Sequence, residues 1–318
     1  MTDVSIVIVN WNTKNLLLDC IRSIRETNCT RSVEIIVVDN GSTDGSVEAV
    51  AHNFPQVIVI ANQENQGFAK ANNAGIRASR GRFVCLVNSD VEVLDGCLDA
   101  MCDYMDANRK VGLLGPKILN KDLTLQPSCG ELPSLRNLLM QAFMLDKLCP
   151  GIRFCRNRFM NDFDHQTLRN VETLSGCFLM ARREALEMVG LLDEQFFIYQ
   201  EDVDWCKRFA DGGWQVTFYP AAKAIHYGAA SSAVAPARFM IEMERASLQY
   251  WGKHHSWLAQ KMVATLSFAG YWLRICAWAA TWALKRDRSL TAKHMMRKYV
   301  ACLCWLGGVG PRSTSQSA

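Results

Sequence analysis

The chain has 318 residues, of which 49% are hydrophobic and 21% are charged, so it can bury a large core and is not intrinsically disordered. Its formal net charge of +4 is too small to indicate nucleic-acid binding. The 13 cysteines include no Cys-x-x-Cys pair, which excludes a zinc-finger type of site and a disulfide framework and favours a reducing cytoplasm.

Strands and helices alternate from the start of the chain. Val4–Val9 is short and β-branched, so it predicts a buried strand and is too short for the apolar region of a signal peptide. Apolar residues then recur at helical spacing: Leu16, Leu17, Cys20, Ile21 and Ile24. Further strands are predicted at Val33–Val38, Val57–Ala61 and Arg82–Val87, with helices between them. This alternation predicts an α/β fold with a mostly parallel sheet flanked by helices.

Polar residues follow three of these strands at the point where each strand ends. Asn10 and Asn12 follow the first strand, Asp39 ends the second, and Asn88 and Asp90 follow the fourth. Each of these alone is an ordinary turn residue. Because ligands bind beyond the carboxyl ends of the strands in open parallel sheets, the three ends together predict a binding cleft. No Gly-x-Gly-x-x-Gly follows the first strand, which disfavours a dinucleotide-binding fold of the dehydrogenase type.

The middle of the chain is less regular. Val111–Leu119 and Leu123–Gln126 predict a hairpin, and residues 131–168, which mix basic and aromatic side chains, predict a variable and mobile insertion. Arg182–Val189 predicts a helix that ends at a glycine, and Gln215–Tyr219 predicts another strand.

An acidic stretch follows the aromatic run that begins at Phe196. Glu201, Asp202 and Asp204 lie at the start of a short predicted helix, whose buried face would carry Trp205. Acids in a first helical turn are common, because their carboxylates accept hydrogen bonds from the free backbone N–H groups there and interact favourably with the positive end of the helix dipole. The alternative is a carboxylate held at a pocket wall to take a proton from an incoming group.

The last ninety residues predict helices. Ala237–Tyr250 is one, and Trp257–Leu284 is apolar and rich in tryptophan but is interrupted by Lys261 and Arg274. Its longest uncharged run has 12 residues, short of the roughly 20 that span a bilayer. A basic block follows it: Lys285, Arg286, Arg288, Lys293, His294, Arg297 and Lys298. Tryptophan flanked by basic residues favours a helix in the membrane interface, and helices packed on protein are the alternative.

The ordered set of motifs resembles glycosyltransferase family 2, which has the GT-A fold, and is closest in style to bacterial rhamnosyltransferase-like members. The matching segments are Ile8–Asn12, Val37–Ser46, Asn65–Ala69, Asn72–Gly75, Asn88–Val91, Ser175–Phe178 and Phe196–Asp204. The resemblance implies a GT-A (nucleotide-diphospho-sugar transferase) catalytic domain at 1–228, with a nucleotide-binding half at about 1–118 and an acceptor-side half at about 119–228. A helical, membrane-associating extension at 229–306 and a disordered tail at 307–318 would follow.

The family pattern also implies an inverting transfer from a nucleotide-activated sugar. Asp39 would contact the base or ribose of the nucleotide, while Asn10 and Asn12 would line the same cleft, with Asn65 and Gly67 nearby. The Ser-Gly-Cys-Phe motif places Gly176 at the same nucleotide-sugar site, and residues 131–168 would help to select the acceptor.

Asn88, Ser89 and Asp90 match the family's metal-binding Asp-x-Asp element, with Asn88 in place of its first acid. This departure leaves one fewer carboxylate and puts strict metal dependence in question. His226, which alone would more often be a core histidine, lies 24 positions after Asp202, the spacing of a metal-binding histidine in related enzymes. Mg²⁺ or Mn²⁺ bound by Asp90 and His226 would neutralise the charge of a nucleoside diphosphate leaving group.

By the same pattern Asp202 is the base that takes the proton of the acceptor hydroxyl. Glu201 would either bind the acceptor or raise the pKa of Asp202 by like-charge proximity. Asp204 faces away on a helix, so a structural role and an acceptor-side role stay open.

The leading hypothesis is an inverting glycosyltransferase in cell-surface polysaccharide synthesis. It would move a sugar, with rhamnose as one candidate, from a dTDP- or UDP-sugar to a hydroxyl of a glycan or lipid-linked acceptor. We expect it in the cytoplasm, peripheral on the inner face of the cell membrane, without a nucleic-acid partner, and a homo-oligomer stays open.

Two alternatives come from other functional classes. A catalytically weak nucleotide-sugar-binding scaffold is supported only by Asn88. A sugar nucleotidyltransferase would need a glycine-rich basic loop after the first strand, and Asn10-Trp11-Asn12-Thr13 is not one.

Overall fold

The computed structural model describes residues 2–148, 158, 160, 163–228, 236–284 and 290–308. The chain divides into two compact units, the first comprising Met1–Leu132 and Phe159–Ser231 and the second Pro133–Arg158 and Ser232–Ala318. Residues 133–158, which we assigned to the acceptor-side half, therefore group with the C-terminal helices. The tail predicted to be disordered lies, from residue 309 onward, outside the described residues.

Unit 1 carries all the strands that the structure describes. The strands are β1 Val4–Asn10, β2 Val33–Asp39, β3 Ile58–Ala61, β4 Phe83–Asn88, β5 Val91–Val93, β6 Val111–Leu119, β7 Leu125–Gln126, β8 Cys129–Gly130, β9 Arg169–Asn170, β10 Thr173–Leu174, β11 Phe178–Arg182 and β12 Gln215–His226. Its helices are α1 Lys14–Glu26, α2 Ser46–Asn53, α3 Phe68–Ala78, α4 Cys97–Ala107, α7 Arg183–Val189 and α8 Glu201–Asp211.

The main sheet has the strand order β3-β2-β1-β4-β11-β6-β12-β5. The first four strands in this order are parallel to one another, and β12 is parallel to β6. β11 enters antiparallel between β4 and β6, and β5 pairs antiparallel with β12. The prediction of a mostly parallel sheet is therefore confirmed, with antiparallel strands added beyond β4.

Side chains alternate between two cores along the central strands, as the two-residue period of a strand requires. In β1, Ile6 and Ile8 pack on the side of α1, α2 and α4, whereas Val7 packs on the side of α3, α7 and α8. Both faces of the sheet are thus covered by helices, which explains why the strands read as continuous apolar runs.

Most elements match the sequence-based expectations, but several were not predicted, among them the central strand β11 and two helices within residues 131–168. The predicted hairpin is confirmed by the antiparallel pairing of β6 and β7. We did not predict β5 or α4, although Cys97, Met101 and Met105 recur at helical spacing. Gln215–Tyr219 proves to be the first part of a longer strand, β12, which continues to His226 through a register shift.

Unit 2 is helical in its described part. Its helices are α5 Leu135–Ala142, α6 Leu145–Leu148, α9 Pro236–His254, α10 Trp257–Leu284 and α11 Leu290–Leu306. Among the described residues, no helix combines the length and apolar character needed to cross a bilayer.

Candidate functional site

The register of the central strands brings the predicted polar residues to one edge of the sheet. Asn10 pairs with Asp39 across β1 and β2, and Val9 pairs with Asn88 across β1 and β4. Asn10 and Asp39 are 0% and 2% exposed, and the Asn10 amide donates to Asp39 Oδ1 at 2.8 Å. The second carboxylate oxygen accepts from the Ser42 backbone N–H at 2.8 Å, so Asp39 orders the loop that follows it.

Asn12 ties the end of β1 to the same loop. Its backbone has a positive φ of 53°, a conformation in which asparagine is enriched. Its side-chain oxygen accepts from the Thr43 N–H at 2.8 Å, and its own N–H donates to Ser42 Oγ at 2.9 Å. The loop after β2 is therefore held from two sides.

Asn40, for which we predicted no role, joins the end of β2 to the loop that precedes α3. Its amide nitrogen donates to Asn65 Oδ1 at 3.0 Å and to the Gly67 carbonyl at 3.1 Å. Its oxygen accepts from Asn62 and from the Gln66 backbone, each at 3.1 Å. The only signal in the sequence was its place in the Asp-Asn-Gly-Ser motif, where asparagine is also a common turn residue.

Gly67 connects this network to the acidic stretch. The N–H of Phe68, the next residue, donates to the Phe197 carbonyl at 2.6 Å. Gly67 has a φ of +89°, and a Cβ at this position would lie 2.6 Å from the Phe197 carbonyl oxygen. The loop at 65–68 can therefore reach the segment before Glu201 only with a glycine here.

We expect Gly67→Ala to lower both the melting temperature and the activity, because the added methyl group must push the Phe197 backbone away. Gly190→Ala is the matched control. Gly190 has nearly the same backbone angles, φ 87° and ψ 176° against φ 89° and ψ 167° at Gly67, but a methyl group added there would have nothing within 4 Å of it. Thermal unfolding of both variants separates the contact from the backbone strain that they share, and equal losses would contradict the proposed contact.

Asp202 lies in the first turn of α8 and is held by two backbone N–H groups. Its Oδ2 accepts from Gly176 at 2.8 Å, and its Oδ1 accepts from Val203 at 2.8 Å. A Cβ on Gly176 would lie 3.2 Å from Asp202 Cβ, a tight contact, so any larger residue here would have to displace the Asp202 side chain slightly. The two residues before α8, Tyr199 and Gln200, both have positive φ, 71° and 67°, which is unusual outside glycine.

The other two acids in the first turn of α8 are buried. Glu201 is 5% exposed and its Oε2 has no hydrogen-bond partner among the described residues. Burial, followed by the nearby Asp202 charge, raises the pKa of Glu201 well above its usual range. Asp204 is 0% exposed and pairs with Arg208 at 2.8 Å, which is a structural contact.

The raised pKa of Glu201 predicts a stability that falls with pH. Above the ordinary glutamate pKa of 4.5 the unfolded chain loses this proton, whereas the folded protein keeps it up to its own higher pKa. The folded state binds more protons in that window, so the free energy of unfolding decreases as pH rises. Melting temperatures of wild type and Glu201→Gln from pH 5 to 8 test this. The variant should gain relative to wild type with rising pH, and a constant difference would contradict it.

Asp90 and His226 come together from different strands. His226 Nε2 lies 3.2 Å from Asp90 Oδ1, because β5 pairs antiparallel with the end of β12. The other ring nitrogen, Nδ1, lies 2.6 Å from Gln126 Oε1. The Gln126 amide nitrogen donates to the Asn120 side chain and to the His226 carbonyl, so its oxygen must face the ring. Nδ1 is therefore the donor, and Nε2 presents a lone pair toward Asp90 when the ring is neutral.

The Asp90–His226 pair fits a divalent cation. Asp90 Oδ1 and His226 Nε2 direct lone pairs toward each other at 3.2 Å, an arrangement that a bound cation would stabilise. A metal-binding histidine usually donates a hydrogen bond from its other ring nitrogen, as His226 Nδ1 does to Gln126. The described residues contain no cluster of three or more His, Cys, Asp or Glu side chains able to hold a metal. Mg²⁺ and Mn²⁺ commonly use one or two protein ligands plus phosphate and water oxygens, so two ligands are enough.

Asn88 and Ser89 complete the edge of the sheet. The Asn88 N–H donates to the Cys177 carbonyl at 2.9 Å, which joins the end of β4 to the Gly176 segment. Asn88 Oδ1 is buried and has no hydrogen-bond partner among the described residues. Ser89 Oγ lies 2.8 Å from Thr13 Oγ1, which donates to Asn10 Oδ1 at 2.7 Å. Hydrogen bonds thus link the predicted nucleotide-site residues to one another and to the Gly176–Asp202 contact.

Comparisons with known proteins identify the family of the chain and its fold. The family model described as Glycosyl transferase family 2 matches residues 5–190. The chain is similar to N-acetylglucosaminyl-diphospho-decaprenol L-rhamnosyltransferase of Mycobacterium tuberculosis, at 28% identity over 284 residues, 84% of this chain and 86% of the relative. It is also similar to the dTDP-rhamnosyl transferase RfbF of Shigella flexneri, at 26% identity over 69% of this chain and 67% of the relative.

A solved structure supports the fold. The mannosyltransferase PcManGT from Pyrobaculum calidifontis, in complex with GDP-Man and Mn²⁺, aligns with a TM-score of 0.54 over 97% of this chain and 88% of its own. At 18% identity this likeness concerns the fold alone. Together with the family model it confirms the predicted GT-A fold with C-terminal helices.

Proposed function

The chain belongs to glycosyl transferase family 2, and from this premise we propose that it is an inverting transferase that moves rhamnose from dTDP-rhamnose to a hydroxyl of a lipid-linked glycan. The choice of sugar is supported by the names of two relatives, which are a decaprenol-linked L-rhamnosyltransferase and a dTDP-rhamnosyl transferase. That the chain is a glycosyltransferase rests on the family match itself.

The observation that carries the proposal is the way Asp202 is held. Its two oxygens accept from the backbone N–H groups of Gly176 and Val203, so the carboxylate has a fixed direction. We propose that Asp202 takes the proton from the acceptor hydroxyl as the hydroxyl oxygen attacks the sugar. A positioned carboxylate contributes about 10²–10⁴-fold to such a step.

The donor would bind along the polar edge of the sheet. Asn10, Asn12, Asp39, Asn65 and Gly67 form the nucleotide side of the cleft in this proposal. Their support is their connected hydrogen bonds and their place beyond the carboxyl ends of β1 and β2, where ligands bind in open α/β sheets. Asn88, Ser89 and Gly176 would face the diphosphate and the sugar.

Asp90 and His226 would hold Mg²⁺ or Mn²⁺, which when bound would neutralise the charge that develops on the departing diphosphate. Gln126 supports this role, because its oxygen fixes the proton of His226 on Nδ1 and leaves Nε2 as the ligand. Glu201 is buried beside Asp202, and burial raises the pKa of its carboxyl group.

A lipid-linked acceptor would place the enzyme at the inner face of the cell membrane, facing the reducing cytoplasm. No disulfide joins the cysteines that the structure describes, as expected in that compartment. We place the acceptor on the side of Asp202 away from the nucleotide cleft, as an attack on the opposite face of the sugar requires.

The configuration of the product tests the proposal. Purified protein would be incubated with dTDP-rhamnose, Mn²⁺ and a polyprenyl-diphospho-N-acetylglucosamine acceptor, and the product analysed by mass spectrometry and NMR. We expect one added deoxyhexose whose anomeric configuration is opposite to that of the donor. Retention of configuration would overturn the role of Asp202, and transfer from another nucleotide sugar only would overturn the choice of donor.

A further inference from the structure

Helix α10 is apolar on the side that it exposes. Its 28 residues span about 42 Å at 1.5 Å per residue. Large apolar side chains recur along the exposed side: Leu258, Met262, Phe268, Trp272 and Leu273. Trp272 alone is 56% exposed. We call this set the α10 stripe. A surface helix normally shows the opposite pattern, with its apolar side inward.

Three polar residues of α10, by contrast, contact other helices of the same unit. Gln260 donates to the Leu248 carbonyl at 2.8 Å, and Tyr271 donates to Glu244 Oε2 at 2.8 Å. Arg274, which interrupts the apolar sequence, donates to the Gln141 and Ala142 carbonyls at the end of α5. Of the two charges that we expected to break the apolar run, Arg274 is therefore turned toward α5, and only Lys261 is exposed, near the beginning of the stripe.

The exposure of large apolar residues is concentrated in this unit. Twelve of the seventeen large hydrophobic residues that are exposed in the described part of the chain belong to unit 2. Clustered exposed apolar side chains of this kind commonly mark a site of interaction with a protein or a membrane, so we looked for what would cover the stripe.

The charge of the same region indicates what kind of partner would cover the stripe. Residues 257–308 contain eight Lys and Arg and a single Asp, although the whole chain has a net charge of only +4. On α11 the exposed residues Lys293 and Arg297 line a groove of about 410 Å³ together with Met296, Val300 and Ala301. Positive side chains next to apolar ones suit an anionic headgroup and its hydrocarbon chain. A second copy of the chain would bring the same positive charges together and would be repelled.

We propose that the α10 stripe and the basic side of α11 dock unit 2 on an anionic lipid bilayer. The helix lies on the surface rather than across it, because its other side is packed against α5, α9 and α11. The proposal rests on the proposed function only in that a lipid-linked acceptor requires an enzyme at a membrane.

Vesicle flotation without donor or acceptor tests the docking surface. Wild type and three variants would be mixed with phosphatidylglycerol–phosphatidylcholine vesicles and with phosphatidylcholine vesicles. The variants are Phe268→Ser/Trp272→Ser, Lys293→Gln/Arg297→Gln, and the control Met188→Ser, which changes a 69% exposed apolar residue of unit 1. We expect the stripe variant to lose about tenfold or more in partitioning. The charge variant should lose binding to the anionic vesicles, and the control should float like wild type.

Several results would overturn the proposal. The proposal is contradicted if wild type does not float with the anionic vesicles. It is also contradicted if the stripe variant floats as well as wild type while the two proteins have equal melting temperatures. A wild-type dimer in lipid-free sedimentation that the stripe variant abolishes would assign the stripe to a second copy instead. Turnover on a short-chain, water-soluble acceptor should be unchanged in the stripe variant. A failure of sugar transfer in every protein, with flotation as expected, would count against the proposed function and not against the surface.

Discussion

Asp202→Asn is expected to lower the rate of sugar transfer by about 10²–10⁴-fold while leaving nucleotide affinity unchanged. The asparagine has the same shape, and its oxygen can still accept one of the N–H groups of Gly176 and Val203, so the helix start should persist. What it loses is the capacity to take a proton. Turnover by nucleotide release and affinity by calorimetry would be measured on the same preparation.

Asp204→Asn is the matched control, because it makes the same change two residues along the same helix. Asp204 is fully buried and its Oδ2 pairs with Arg208 at 2.8 Å. Its loss leaves a poorly compensated cation, so we expect a cost of about 3 kcal/mol in stability and turnover per folded molecule close to wild type. A nucleotide-sugar-binding scaffold would be indifferent to Asp202→Asn, and an Asp202→Asn protein with full turnover would refute our assignment.

Asp90→Asn is expected to produce the second largest loss, and it should appear as a changed metal requirement. Asp90 is the charged member of the two proposed protein ligands. Mutation of residues that only orient a metal ligand typically costs about 10–100-fold in metal affinity, so loss of the Asp90 carboxylate should lower the affinity for Mn²⁺ by about 100-fold or more. Activity would be titrated against Mn²⁺ in both proteins, and Gln126→Leu should fall between them because it removes only the hydrogen bond that orients His226.

Glu92→Gln serves as the control for Asp90, two residues away on β5. Its carboxylate accepts from the Tyr227 hydroxyl at 2.6 Å and does not contact His226 in the structure. We expect its metal titration to match that of wild type. If wild type works at full rate in EDTA, or if Asp90→Asn and Glu92→Gln titrate alike, the metal assignment fails and the leaving group must be stabilised by other means.

The sequence predicted the frame of the site because the frame depends on local patterns. The four β-branched runs and their helices follow from periodicity, and the meeting of Asn10, Asp39 and Asn88 follows from parallel strands that end at one edge. The role of Asp202 and the pairing of Asp90 with His226 came from the resemblance to a family. Spacing along the chain does not bring residues 90 and 226 together.

The supporting residues were missed for a different reason. Asn40 and Gln126 act through hydrogen bonds to side chains and carbonyls far along the chain, and each is an ordinary turn or strand residue in its local sequence. The orientation of α10 was equally hidden. Arg274 looked like an interruption of an apolar run, and only its contact with the end of α5 explains why the exposed side of the helix carries no charge there.

The most direct test of the account is the release of nucleoside diphosphate from a panel of nucleotide sugars by wild type and by Asp202→Asn, with the lipid-linked acceptor and Mn²⁺ present. We expect wild type to release nucleoside diphosphate from dTDP-rhamnose. That release should be lost in Asp202→Asn, and it should be lost in wild type when EDTA is added. Equal release by the two proteins, or no acceptor-dependent release from any donor, would contradict it.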